Sequence, residues 1–247
     1  MLSSNANQQA GRPILTDEEF KEQLLFVHNE AENAFILYQT IGTIDRLSRT
    51  PEIRPALDAD GHFWNTFTYT HQSQMCMILH RITDDAGEAY TIRKLMNNVL
   101  GNQRLFTREE YGKRRRPPGP KPPYWDELIE DAWEPTTEAL RPLKRELERH
   151  IDEYQKIYRE LRNNIHAHNF IVNETKYLAL FKETNHIELG KTVKYFYQLV
   201  HAIRDLYQNA TKITLDDEWY AEREKTERAL VERVLRQVAH GHAASNA

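Results

Sequence analysis

The chain has one cysteine, Cys76, and nine glycines in 247 residues. A lone thiol excludes an intrachain disulfide framework and a thiolate zinc site, and it fits a reducing cytoplasm. The scarcity of glycine argues against a turn-rich sandwich or barrel, and no glycine-rich phosphate loop is present. No apolar run reaches membrane-spanning length, and the N-terminal MLSSNANQQAGRPIL lacks the apolar stretch of a secretory signal. A formal net charge of −4 gives no global pull toward nucleic acid, so such a partner would need a local basic site. What is abundant is charge (28%) beside a 40% hydrophobic fraction. Long helices with wide solvated faces produce that balance.

Hydrophobic spacing supports the same reading. Residues 1–15 read as a disordered tail. Thr16-Asp17-Glu18-Glu19 is a capping box, Thr at N-cap and Glu three on. Behind it Phe20, Leu24, Val27, Ala31, Ala34, Tyr38 and Ile41 repeat at 4-3 spacing, one face of a helix that Arg49-Thr50-Pro51 ends. His62 to Ile82 repeats the pattern through Phe63, Phe67, Met77 and Ile78, and a shorter TIRKLMNNVL follows. Residues 101–124, with KRRRPPGPKPP at their centre, break it as a Pro-rich basic loop. Leu140, Leu143, Leu147, Ile151, Tyr154, Tyr158, Leu161 and Ile165 mark another long helix. Gly190 to Ile213 gives one more, and Asp216 to Val238 a charged terminal helix. With no βαβ alternation and no repeat, the expected fold is all-α, a bundle of long antiparallel helices spanning 16–215, with 216–247 a charged helix and tail. The stripe Leu230, Val234, Val238, flanked by Val231 and Leu235, would pack on this bundle or on a second chain.

The stretch YRELRNNIHAHNF, Tyr158 to Phe170, stands out. Asparagine and histidine are mediocre helix formers, yet a permanent cation, two carboxamides and two imidazoles crowd into the end of a long helix. The run RNNIHAHN resembles the signature of HEPN domains (higher eukaryotes and prokaryotes nucleotide-binding), all-α bundles defined by Arg, a polar residue, a short spacer and His. It is more narrowly similar to their U-type abortive-infection toxin branch, with Arg162, Asn163, Ala167 and His168 at the motif positions. A second stretch, FWNTFTYTHQSQMCMILHRITDD, resembles the early helix of that branch, which opens on Phe-Trp and closes on an Arg-Leu-Thr-Asp-like turn, here Arg81 to Asp84. Two positions depart from the pattern. Asn164 stands where the branch usually has Lys or another bulky residue, and Phe170 where some HEPN toxins carry a tyrosine that a partner nucleotidyltransferase modifies.

The resemblance implies a metal-independent endoribonuclease, a toxin or phage-defence effector whose site forms at a homodimer interface and uses no cofactor. RNA, a second copy and an antitoxin or regulatory partner are the implied partners, in the cytoplasm and without a membrane. Arg162, Asn163 and His168 would be catalytic, with Arg159 and His166 in support. The residue types suit the chemistry. Histidine exchanges protons near neutral pH, and arginine keeps a planar charge that matches two phosphate oxygens. On one ideal helix Arg162 and His168 point about 120° apart, so a loosened helix or two pooled chains would be needed to bring them together. Lys113, Arg114, Arg115 and Arg116 could track an RNA backbone, or form a solvated loop. Each motif residue also has a structural reading: Arg162 as an ion-pair partner, His168 as a helix-end imidazole, the asparagines as helix breakers. The alternative function is a catalytically silent bundle that binds RNA, a nucleotide or a partner protein. His166–His168 and His240–His242 lack a third ligand at recognisable spacing, so no metal site is expected.

Overall fold

Thr16 opens the first helix as its spacing predicts. Its hydroxyl accepts the Glu19 N–H at 3.2 Å, and its own N–H donates to the Glu19 carboxylate at 2.7 Å. The helix it starts, α1 (Asp17–Leu47), is about 46 Å long and buries Phe20, Leu24, Val27, Ala31, Ala34 and Phe35. The computed structural model describes residues 15–84, 89–161 and 186–245. The expected N-terminal tail lies outside them but for Leu15. Among the described residues there are α-helices, one 3₁₀ turn and no strand, an all-α bundle as the sequence predicts.

After α1 come the short α2 (Arg54–Ala59), then α3 (Gly61–Thr83) and α4 (Ile92–Gly101). Met75, Ile78, Leu79 and Ile82 of α3 are buried, whereas Phe63 and Met77 are exposed. The buried frame therefore runs 75-78-79-82; of the face read from the sequence, Ile78 is buried and Phe67 packs beside Ile44 and Leu47, while Phe63 and Met77 are turned outward. The 3₁₀ turn Gln103–Phe106 and α5 (Arg108–Arg115) occupy the first part of the expected loop at 101–124. The Thr107 side chain caps α5, Glu109 and Glu110 sit in its first turn, and the cations Lys113 to Arg115 sit in its last, each charge complementing the helix dipole. The prolines begin only beyond it. A short α6 (Trp125–Glu130) precedes α7 (Thr137–Leu161), which buries Leu140, Leu147, Ile151, Tyr154 and Tyr158 and holds Pro142 in its second turn.

The last two helices are α8 (His186–Asn209) and α9 (Asp217–Ser245). The sequence reading set α8 at Gly190 to Ile213. It begins earlier, and it ends at Asn209 because Ala210 takes φ 49° and returns its N–H to the Leu206 carbonyl at 3.0 Å. α3 and α8 run antiparallel to α1, as Arg81–Glu30 and Phe35–Tyr197 show, the latter two rings stacked at 4.2 Å. α7 runs antiparallel to α8, with Tyr195 on the Leu143 carbonyl and His150 beside Thr192. α9 follows α1 in the same direction, joined by Gln39–Glu224 and Arg46–Glu232. It buries Tyr220 near its start and, farther on, Leu235, packed on Ile44, Leu47, Ile53 and Leu57, while Leu230 and Val234 stay exposed. The terminal helix thus packs on its own chain, through Val231 and Leu235 at the flank of the stripe rather than through Leu230 and Val234. No helix among the described residues is long and apolar enough to cross a membrane.

Candidate functional site at one end of the bundle

Arg162, Asn163, His166 and His168 lie outside the described residues, as does the side chain of Arg159. α7 is described as far as Leu161, the residue before Arg162, and α8 from His186 onward.

Core packing fixes that end of the bundle. Tyr158 is 4% exposed and stacks on Tyr154 at 5.1 Å, and the Tyr154 hydroxyl donates to the Cys76 carbonyl of α3 at 3.0 Å. Burial raises the Tyr158 phenol above its ordinary range and pushes the Cys76 thiol up to about 12, so neither group is a nucleophile at neutral pH. On the opposite side Tyr38 of α1 donates to the His186 carbonyl at 3.2 Å and stacks on its ring at 4.6 Å. That approach needs Gly190, because a Cβ there would collide with the Tyr38 hydroxyl. Burial lowers the His186 pKa, with Asp45 opposing. A groove of ≈ 740 Å³ opens between α1, α2, α3 and the start of α8, lined among others by Asp45, Trp64, Tyr69, Gln72 and His186. Asp45 is paired with Arg49 at 2.8 Å.

The second motif-like stretch is structural where it closes. Arg81 donates to Glu30 at 2.8 Å, and the Thr83 hydroxyl donates to the Leu79 carbonyl at 2.8 Å. Gln155 donates to the Thr83 carbonyl at 2.9 Å, so the turn fastens α3 to α1 and α7. The basic run divides. Lys113 pairs with Glu109 and Glu110. Arg114 reaches inward to the carbonyls of Leu105 and Tyr207, to Asp17, and over the Tyr207 ring at 4.3 Å. Arg115 and Arg116 are exposed.

Away from this end lies a polar cluster that the sequence reading missed. His28 and Glu32 stand one turn apart on α1 and face His201 of α8, whose Nε2 lies 3.1 Å from the Glu32 carboxylate. Arg223 of α9 pairs with Glu32 at 3.0 Å, and Arg204 donates to His28 Nε2 at 2.7 Å. The hydrogen bond with His201 holds Glu32 below the usual carboxylate range, and burial, with His201 and Arg204 nearby, holds His28 below the usual imidazole range. The His-x₃-Glu spacing on one helix face was the available signal, but its third member is 169 positions away.

A family model described as AbiU2, of the HEPN group, matches residues 17–225. No match was found among curated proteins or among solved structures. The matched segment takes in α1 through the first part of α9, including the motif and both stretches quoted above. The chain belongs to the HEPN family of the AbiU2, abortive-infection type.

Proposed function

We propose that the chain is a metal-independent endoribonuclease that acts as an abortive-infection toxin, working as a cytoplasmic homodimer restrained by an antitoxin or regulatory partner. The observation that carries this reading is the pattern Arg162-Asn163, then Ala167-His168, directly beyond α7 in a chain whose family match runs from 17 to 225. In the proposed reaction the 2′-hydroxyl loses its proton to a base and its oxygen attacks the phosphorus. The P–O5′ bond breaks, and the leaving 5′-oxygen takes a proton. His168 serves as general acid or base, Arg162 stabilises the charge on the phosphate, and Asn163 orients a phosphate or hydroxyl. Arg159 and His166 support them. Two chains pooling their motifs resolve the divergence of Arg162 and His168 along one helix. Arg115 and Arg116, exposed beside Lys113, would hold the RNA backbone through counterion release.

The test is incubation of purified wild-type and Arg162→Ala protein with total RNA, with the cleavage ends mapped. Defined ends that disappear in the variant support the reading. RNA left intact by the wild type, at concentrations where it binds RNA, would favour a silent binding module.

A further inference from the structure

His28, Glu32 and His201 offer three metal-ligating donor atoms that all lie within 4.8 Å of one another. Their chemistry, two imidazoles and a carboxylate, is that of a zinc site with one open position. We propose that these side chains bind a zinc(II) ion, clamping α1 to α8 with water as the fourth ligand.

Four observations support the site. Zinc bonds of about 2.0–2.1 Å place tetrahedral donors about 3.4 Å apart. His201 Nε2 and Glu32 Oε2 are already 3.1 Å apart, so closure asks mainly for a movement of His28. Arg223 holds the other Glu32 oxygen at 3.0 Å and donates to the Tyr197 hydroxyl at 3.2 Å, an outer partner of the kind that orients a ligating carboxylate. His201 is 8% exposed and packs against the Trp219 ring at 4.8 Å, which keeps one side of the site dry. Finally, the lone pair a metal would take on His28 Nε2 already holds a cation. The Arg204 guanidinium donates there at 2.7 Å, while its Nε is buried without a hydrogen-bond partner. Arg204 is therefore an incompletely satisfied placeholder on the half-exposed face of α8, and zinc binding displaces it.

That competition gives the site a signature. A merely structural polar network loses stability when Arg204 is removed, whereas a zinc site gains affinity, because a competing donor and a like charge are both gone. From Glu32 to Asp45 is thirteen residues along α1, about 20 Å, so the metal sits well away from the groove that Asp45 lines.

The experiment is a calorimetric titration of the full-length, zinc-free chain with zinc chloride, with the melting temperature followed in parallel. A His240→Ala, His242→Ala background removes binding by the terminal pair. One zinc per chain and a melting temperature raised by several degrees are expected, with both lost in Glu32→Gln and binding about 10-fold tighter in Arg204→Gln. Absence of binding in the background chain, or undiminished binding in a folded Glu32→Gln variant, would overturn the proposal. If Glu32→Gln fails to fold by far-UV circular dichroism, Arg204→Gln decides: tighter binding sustains the site, and unchanged or weaker binding refutes it.

Discussion

Arg114 and Arg115 are neighbours in the sequence with opposite fates. Both read as members of a basic run, yet the helical turn of α5 aims one at Tyr207 and the other at solvent. Charge runs conceal such differences, because 100° of rotation per residue separates a buried cation from an exposed one. Arg114→Ala removes donors to two carbonyls and a contact over an aromatic ring, so it should destabilise by about 2–3 kcal/mol. The melting temperature should fall by about 4–10 °C, while that of Arg115→Ala stays at the wild-type value. His150 supplies a second test at this scale. It is 4% exposed, stacked on Tyr195, bonded to Thr192, and faced by Arg149, Glu146 and Glu153 of its own helix and Glu188 of α8. Burial first, and then Arg149, hold its pKa below the ordinary value. As pH falls past about 6.5 the unfolded chain takes a proton that native His150 resists, so the unfolded state binds more protons and stability drops. Denaturant midpoints should therefore decline between about pH 7.5 and pH 5.5, less steeply in a His150→Gln variant. His186, also lowered by burial, contributes in the same direction, which leaves a residual slope.

At the scale of elements, legibility followed the strength of local signals. The capping box of Thr16 and Glu19 placed the start of α1 to the residue, because both reciprocal bonds are local. The starts of α5 and α8 were not seen. A Thr cap at 107 was hidden behind the prolines that follow, and Gly190 looked like a helix opener when it is an interior residue kept small for Tyr38. On α3 the reading placed Phe67 and Ile78 inward correctly but Phe63 and Met77 wrongly. On α9 the flanking Val231 and Leu235 carry the packing that Leu230 and Val234 do not, since apolar residues flank the true face and only the partner helix selects among them. Gly190 tests how the end of the bundle is built. Gly190→Ala should push the Tyr38 ring from His186 and cost about 1–3 kcal/mol, read as a lower melting temperature. Tyr38→Ala in the same chain should restore part of that loss by making room for the new methyl. Equal losses that simply add would place the strain elsewhere.

For the whole molecule, bundle class and family were legible because they rest on long periodic segments and two contiguous stretches, and the family match from 17 to 225 covers both. The geometry that would join Arg162 to His168 was not legible, since in the proposed reading it is set by two copies of the chain and not by spacing along one helix. The cluster of His28, Glu32 and His201 was hidden for a related reason: its members meet only when α1 and α8 pack antiparallel. The most direct measurement of the proposed activity uses an RNA oligonucleotide containing a mapped cleavage site, with a single 2′-deoxy counterpart, in excess chelator. Wild-type protein should cleave the first, leaving 2′,3′-cyclic phosphate and 5′-hydroxyl ends, and spare the second. His168→Ala should slow cleavage by about 10²–10⁴-fold and Arg162→Ala by a comparable factor, each with a melting temperature within a few degrees of wild type. Cleavage abolished by chelator and restored by a divalent ion, or an Arg162→Ala, His168→Ala double variant as active as wild type, would contradict it.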